Sequence, residues 1–171
     1  MKTSSIDFTN TKFLISSYVT SYKTAAFKLK NSLLLNEIPE ENIITVIGGA
    51  EKLRQDNNIF VNHNSFDHTG FIAIIEENLK SKYWFVLHDT CEVGLNFYSL
   101  LSKYKINKPY YSLTEMAWMN MGLFDEKFIF DNKDYILSMK NCSKERAILS
   151  ERIYSRLSDY GWFGLQKDQQ R

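Results

Sequence analysis

One stretch of the sequence places a run of apolar side chains directly before a cluster of polar ones. The run Tyr83–Leu87 is aromatic and branched and carries no charge, which is typical of a strand buried on both faces of a sheet. His88, Asp89 and Thr90 follow at once, with Glu92 close behind. Ligands of open α/β sheets bind at the carboxyl ends of the strands, and this cluster is therefore a candidate site. Alternatively, Asp89 and Thr90 cap the next helix.

Two earlier segments have strand patterns and are separated by a helical one. Lys12–Ser17 and Asn42–Ile47 are short apolar runs, and apolar side chains recur at helical spacing from Lys23 to about Leu35. Two strands joined by one helix predict a right-handed parallel βαβ unit, whose strands end at the same edge of the sheet. We therefore expect the residues that follow these strands to lie near His88 and Asp89. They are Ser16, Ser17 and Tyr18 after the first strand, and Gly48 and Gly49 after the second.

A polar loop, His63 to Thr69, precedes a further predicted helix of about ten residues. Asn64 and Asp67 lie just before the start of this helix, where backbone amides and the helix dipole favour anions. Helix capping is the alternative role for both side chains. For the glycine pair, the alternative to ligand binding is a plain turn.

The second half of the chain has helical patterns. Leu95–Tyr104, Asp131–Lys140 and Ser143–Leu157 each carry apolar residues at helical spacing. The third is the clearest amphipathic segment, and its predicted buried stripe consists of Ala147, Ile148, Ile153, Tyr154 and Leu157. Near the end of the chain, Trp162 and Phe163 are expected to pack against the body, since two exposed large aromatics would form a sticky patch.

Composition narrows the class of protein. The 171 residues contain no repeat and no linker, which predicts one domain over residues 1–171 with frayed ends at 1–10 and 166–171. A net charge of +1 provides no strong field to attract nucleic acid, and the apolar runs are shorter than the roughly 20 residues that a membrane span requires. The only cysteines, Cys91 and Cys142, are expected to be free thiols. With no secretory signal pattern, these features predict a cytoplasmic protein.

The order of these segments resembles the GT-A fold of glycosyltransferases that use nucleotide-sugar donors. The resemblance covers about Phe13 to Phe130. It is carried by the serine-bearing loop after the first strand, the VIGG turn after the second, the NSFDHTGFIAI segment and the YWFVLHDTCEVGLNFY stretch. It implies an α/β fold of three layers, α/β/α, with a mostly parallel central sheet. Members of the fold place a DxD-type motif after a central strand to hold a divalent cation, and the corresponding place here reads His88-Asp89-Thr90, which is not a strict DxD.

The resemblance also implies roles for individual residues. Asp89 and His88 would hold Mn²⁺ or Mg²⁺, which stabilises the departing diphosphate, and an imidazole ligand suits Mn²⁺ better. The nucleotide-sugar donor would be bound by Ser16, Ser17, Tyr18, Gly48, Gly49, Asp67 and His88. Catalysis would depend on Asp89 and on a general base, for which Glu151 and Glu145 are the candidates, with a hydroxyl of a glycan or another molecule as acceptor. Because the second carboxylate of DxD is missing, the alternative is a module of the same fold that binds sugar or nucleotide without turnover.

Overall fold

The structure, a computed structural model, describes residues 4–113, 121–150, 153–157 and 159–163. Its strands are β1 (Ser4–Ser5), β2 (Thr11–Tyr18), β3 (Ile43–Gly48), β4 (Leu53–Gln55), β5 (Asn58–Val61), β6 (Tyr83–His88), β7 (Lys105–Ile106), β8 (Tyr110–Ser112), β9 (Gly122–Asp125) and β10 (Gly161–Trp162). Its α-helices are α1 (Ala25–Leu34), α2 (Thr69–Glu76), α3 (Phe97–Leu101), α4 (Glu126–Asp131), α5 (Lys133–Ser138), α6 (Lys144–Ser150) and α7 (Ile153–Leu157). Two short 3₁₀ turns, Glu40–Asn42 and Phe66–His68, complete the assignment.

Within the described residues, the main sheet has eight strands in the order β4-β5-β3-β2-β6-β9-β8-β10. The four central strands β5, β3, β2 and β6 are parallel, as predicted. β9 lies antiparallel between β6 and β8, and β4 lies antiparallel on the far edge. Because β2 has β3 on one side and β6 on the other, the chain reverses its direction of travel across the sheet at β2. Such a switch point is where open α/β sheets bind ligands.

Side chains alternate between the two faces of the sheet and meet helices on both. On one face, Phe13 and Ile15 of β2 pack with Leu29 and Leu33 of α1. On the other face, Leu14 packs in a cluster that includes the buried apolar residues of α2, from Phe71 to Ile74. The two clusters hold most of the buried apolar side chains. This arrangement confirms the mixed α/β class with helices on both faces of a mostly parallel sheet. The first six residues of α2, from Thr69 to Ile74, are all buried, which anchors this helix firmly.

Several predicted boundaries differ from the structure. The predicted helix Leu95–Tyr104 is reduced to α3. The predicted buried stripe of the late amphipathic segment is wrong at Ile148 and Leu157, whose side chains are 54% and 39% exposed. Residues 4–10 are packed instead of frayed: β1 pairs with β7, and Ile6 is buried. The predicted burial of Phe163 is confirmed, whereas the fraying expected for 166–171 lies outside the described residues.

Candidate functional site

The carboxyl ends of the central strands border a cavity of about 410 Å³. It brings together eight of the residues singled out in the sequence, namely Ser16, Ser17, Tyr18, Asn64, Asp67, His88, Asp89 and Thr90. The sheet register explains their proximity: Ser16 is the partner of His88 in the β2–β6 pair, and the Asp89 amide donates to the Ser16 carbonyl at 3.2 Å. Two further lining residues, Ser21 and Phe66, were not singled out from the sequence.

Asp89 is held by two serine hydroxyls. The Ser17 hydroxyl donates to Asp89 Oδ2 at 2.5 Å, and the Ser21 hydroxyl donates to the same oxygen at 3.2 Å. The alternative in which Asp89 caps the next helix is wrong, because that helix, α3, begins only at Phe97. The carboxylate is therefore oriented by the loop that follows β2.

Ser16 differs from Ser17 although both line the cavity. The Ser16 hydroxyl is buried and has no hydrogen-bond partner among the described residues. It lies against α2, only 2.4 Å from the position that a Cβ on Gly70 would occupy. Close approach of the helix therefore encloses Ser16, and the hydroxyls that reach Asp89 come from Ser17 and Ser21.

The side chains of His88 and Asp67 lie close together in the cavity lining. The distance from His88 Nε2 to Asp67 Oδ1 is 3.4 Å, but the geometry makes no hydrogen bond, and the buried Nε2 has no hydrogen-bond partner within the described part of the chain. Buried polar atoms of folded proteins almost always have partners. An unsatisfied ring nitrogen at a cavity therefore indicates a position where a polar ligand atom would be stabilised.

Gly48 and Gly49 pack behind the residues that line the cavity. Gly49 has φ of 76°, and a Cβ at this position would lie 2.3 Å from Cε2 of Tyr18. Its amide donates to the His63 carbonyl at 2.9 Å and is therefore already used within the protein. A Cβ on Gly48 would lie 2.9 Å from the same carbonyl oxygen. Both glycines let the turn after β3 pack closely against neighbouring chain, and neither belongs to the cavity lining described above.

The loop before α2 has a strained backbone at the cavity. Phe66 is 36% exposed and has φ of 49°, in the left-handed region that a bulky residue rarely adopts. The Asn64 side chain accepts a hydrogen bond from the Phe66 amide at 3.2 Å, which closes a local turn. This contact replaces the helix cap considered from sequence, since α2 has no side-chain cap.

The cavity is rich in oxygen atoms, and no Lys or Arg side chain is among its described lining residues. Asp67 and Asp89 are its carboxylates. Within the described residues there is no group of three or more His, Cys, Asp or Glu side chains that could hold a metal ion alone. Glu92 lines a separate cavity of about 250 Å³, which shares Asp89 and Thr90 with the first.

Of the two candidate general bases, Glu151 lies outside the described residues. Glu145 is exposed at the start of α6 and is absent from the described lining of the cavity. Hydrogen bonds from its own backbone amide and from Ser143 lower the pKa of Glu145. A lowered pKa makes a carboxylate a weaker base.

Comparison with known proteins bears on the fold. No protein-family model matches the chain, and no curated protein matches its sequence. Among solved structures, it is similar to the crystal structure of residues 1–349 of S. aureus TarS, with a TM-score of 0.56 and 8% sequence identity. The fold is GT-A-like. The match covers 88% of this chain, and the chain spans 57% of the TarS structure.

No helix in the described part of the chain combines the length and the apolar character that crossing a bilayer requires.

Proposed function

We propose that this GT-A-like chain transfers a sugar from a nucleotide-sugar donor to an acceptor hydroxyl, assisted by a divalent cation. The observation that carries the proposal is the placement of Asp89. Two serines orient its carboxylate at the end of central strand β6, in a cavity that also contains Asp67 and His88. The fold likeness to TarS, a glycosyltransferase, favours sugar transfer over other chemistry at such an edge.

The donor set fits a cation that is shared with its substrate. Mg²⁺ and similar ions are often bound by one or two carboxylates together with substrate phosphates and water. Asp89 would be the carboxylate ligand, and His88 would be a second ligand suited to Mn²⁺. Bound there, the cation would act as a Lewis acid that stabilises the charge of the departing diphosphate. Because the described lining carries no Lys or Arg, we expect a diphosphate to bind weakly without the cation.

The remaining residues of the cavity would position the donor. Asp67 would contact the nucleoside through its carboxylate, and the aromatic faces of Tyr18 and Phe66 suit stacking with a base or a sugar ring. During transfer, the bond from the anomeric carbon to the diphosphate oxygen breaks and a bond to the acceptor oxygen forms. The acceptor proton would pass to a general base, for which Glu151 remains the candidate.

A binding module without turnover is the second candidate. It is favoured by the absence of a complete acidic metal cluster from the described residues. Such a module would retain the cavity and its affinity for a nucleotide or sugar, and it would release no product.

Donor hydrolysis distinguishes the two functions. The full chain is incubated with a panel of nucleoside diphosphate sugars, with and without Mn²⁺ or Mg²⁺, while thermal shift reports binding in parallel. Sugar transfer predicts cation-dependent release of nucleoside diphosphate that Asp89→Ala abolishes. Binding without release under any cation supports the module. If the panel shows no binding and no release, both functions are refuted.

A further inference from the structure

His68 ends the 3₁₀ turn Phe66–His68 and is completely buried. Both of its ring nitrogens have partners in the last helices of the chain. Nδ1 lies 2.8 Å from the hydroxyl oxygen of Tyr154 on α7, and Nε2 lies 2.7 Å from the hydroxyl oxygen of Ser150 on α6. These contacts span more than 80 residues of sequence and connect the cavity loop to the C-terminal part of the fold.

One tautomer of His68 satisfies all of these hydrogen bonds. The Ser150 hydroxyl donates its single hydrogen to the Ala147 carbonyl at 2.7 Å, and it therefore accepts from His68 Nε2–H. Nδ1 then carries no hydrogen and accepts from the Tyr154 hydroxyl. This assignment gives each of the three groups a partner for its hydrogen, as burial requires.

The turn fixed in this way forms one wall of the cavity. Phe66 and Asp67, which precede His68, both line the cavity. The left-handed backbone of Phe66 costs about 1–2 kcal/mol for an L-residue, and strain of this kind persists only where the surroundings impose it.

A second tie reaches the same loop from the C-terminal side. The amide of Asn141 donates to the Ser65 hydroxyl at 3.0 Å, and that hydroxyl also contacts Nδ1 of His63 at 2.9 Å. The loop is therefore anchored on both sides of the strained Phe66. Ser65, directly before it, bonds Asn141, and His68, two residues after it, contacts Tyr154.

We infer that His68 is a positioning residue, through which α6 and α7 hold Phe66 and Asp67 in place at the cavity. Its consequence for nucleotide binding rests on the proposed function, whereas the structural link itself does not. The C-terminal helices would then be part of what makes the site competent to bind, although they lie behind its wall.

The link is tested first without any ligand. Tyr154→Phe removes one hydroxyl but keeps the ring that packs on Phe71 and Phe124. Tyr110→Phe is the matched control, because Tyr110 is a buried tyrosine of the same core cluster whose hydroxyl bonds Ser112 instead. We expect hydrogen exchange of the amides of residues 65–69 to rise at least about fivefold in Tyr154→Phe, as loss of one hydrogen bond would give, and to stay unchanged in Tyr110→Phe. Ser150→Ala provides a second route to the same result.

Nucleotide affinity then tests positioning. In a double-mutant cycle, Asp67→Asn should weaken binding of a nucleoside diphosphate with Mn²⁺ less in the Tyr154→Phe background than in the wild type. The inference would be overturned if the two changes affected nucleotide affinity in a strictly additive way. It would also be overturned if residues 65–69 exchanged equally in Tyr154→Phe, Ser150→Ala and Tyr110→Phe. A wild-type chain that binds no nucleotide would refute the proposed function, and the exchange comparison would still decide the link.

Discussion

The hydroxyl of Ser17, near the end of β2, donates a hydrogen bond of 2.5 Å to Oδ2 of Asp89, the residue directly after β6. Ser21 reaches the same carboxylate oxygen, and no hydrogen bond from the described residues reaches the other oxygen, Oδ1. Two converging donors fix the direction of a carboxylate, as ligands of metal ions are commonly fixed by outer contacts. The cavity edge is therefore prepared at Asp89, while the companion carboxylate that a DxD motif would supply is absent from the sequence.

The first prediction concerns this contact. Ser17→Ala should weaken Mn²⁺-dependent binding of a nucleoside diphosphate about tenfold, because Asp89 loses its closer orienting donor. Ser21→Ala should have a smaller effect, since its contact is longer at 3.2 Å. Calorimetric titration measures both affinities. Ser99→Ala is the control, because the Ser99 hydroxyl is exposed on α3 and bonds the Asn96 carbonyl. Wild-type affinity in Ser17→Ala would show that Asp89 needs no such support.

The second prediction concerns the contact between α2 and β2. Gly70 lies where an added Cβ would come within 2.3 Å of Leu14 Cδ2 and 2.4 Å of Ser16 Oγ. Gly70→Ala should lower the free energy of unfolding by about 1–3 kcal/mol through overpacking, even though alanine is the better helix former. Urea unfolding measures the change.

Ser16→Ala provides the control for this second prediction. It removes the buried hydroxyl, and the double variant should therefore lose less stability than the sum of the two single changes. Additive losses would mean that Gly70 and Ser16 do not interfere.

The sequence predicted the parallel core and the position of Asp89 because both depend on local patterns. A charge-free run such as Tyr83–Leu87 can only be a buried element, and the polar residue after it must lie at the strand end. The role of Ser21 depends on a contact with a residue 68 positions away in the sequence. The role of His68 depends on contacts with residues 82 and 86 positions away. No local pattern encodes contacts at such separations. One local feature pointed to Ser21: it lies four residues after Ser17, in the turn that follows β2.

The sequence pattern also failed to predict which apolar residues of the helices are exposed. Phe27 and Ile148 fall on helical stripes but are 59% and 54% exposed. Periodicity identifies a helix without showing how wide a face its neighbours cover. In both helices the covered face is narrower than the stripe, and only Ala26, Leu29 and Leu33 of the α1 stripe are buried.

The third prediction isolates the backbone strain at Phe66. Both Phe66→Gly and Phe66→Ala remove the ring, but only glycine adopts φ of 49° without a steric penalty. After allowing for the greater freedom of glycine in the unfolded chain, Phe66→Gly should be more stable than Phe66→Ala by up to about 1 kcal/mol. Chemical denaturation of the two variants gives this difference. An alanine variant as stable as the glycine variant would argue that the turn relaxes and that its conformation is not imposed.

The fourth prediction concerns pH. Burial, with smaller effects from Arg146 and His88, lowers the pKa of His68 to about 4 from an ordinary value of 6.5. The unfolded chain therefore binds a proton at this residue before the folded protein does, so that stability falls as pH decreases from about 6.5 to 4 and is unaffected by His68 above that range. The slope approaches about 1 kcal/mol per pH unit. His63, whose pKa is lowered mainly by burial, acts in the same direction.

Two measurements check this pH dependence. In NMR titrations, the ring protons of His68 should keep the shifts of a neutral imidazole between pH 7 and 5, with the hydrogen on Nε2. In denaturant unfolding, His68→Gln should lose its share of the pH slope between about pH 6.5 and 4 because the titrating group is gone, while the contribution of His63 remains. A His68 ring that titrates near pH 6.5 in the folded protein would contradict the buried pairing with Ser150 and Tyr154. It would also remove the basis for a fixed cavity wall, since a cationic ring has no lone pair with which to accept from the Tyr154 hydroxyl.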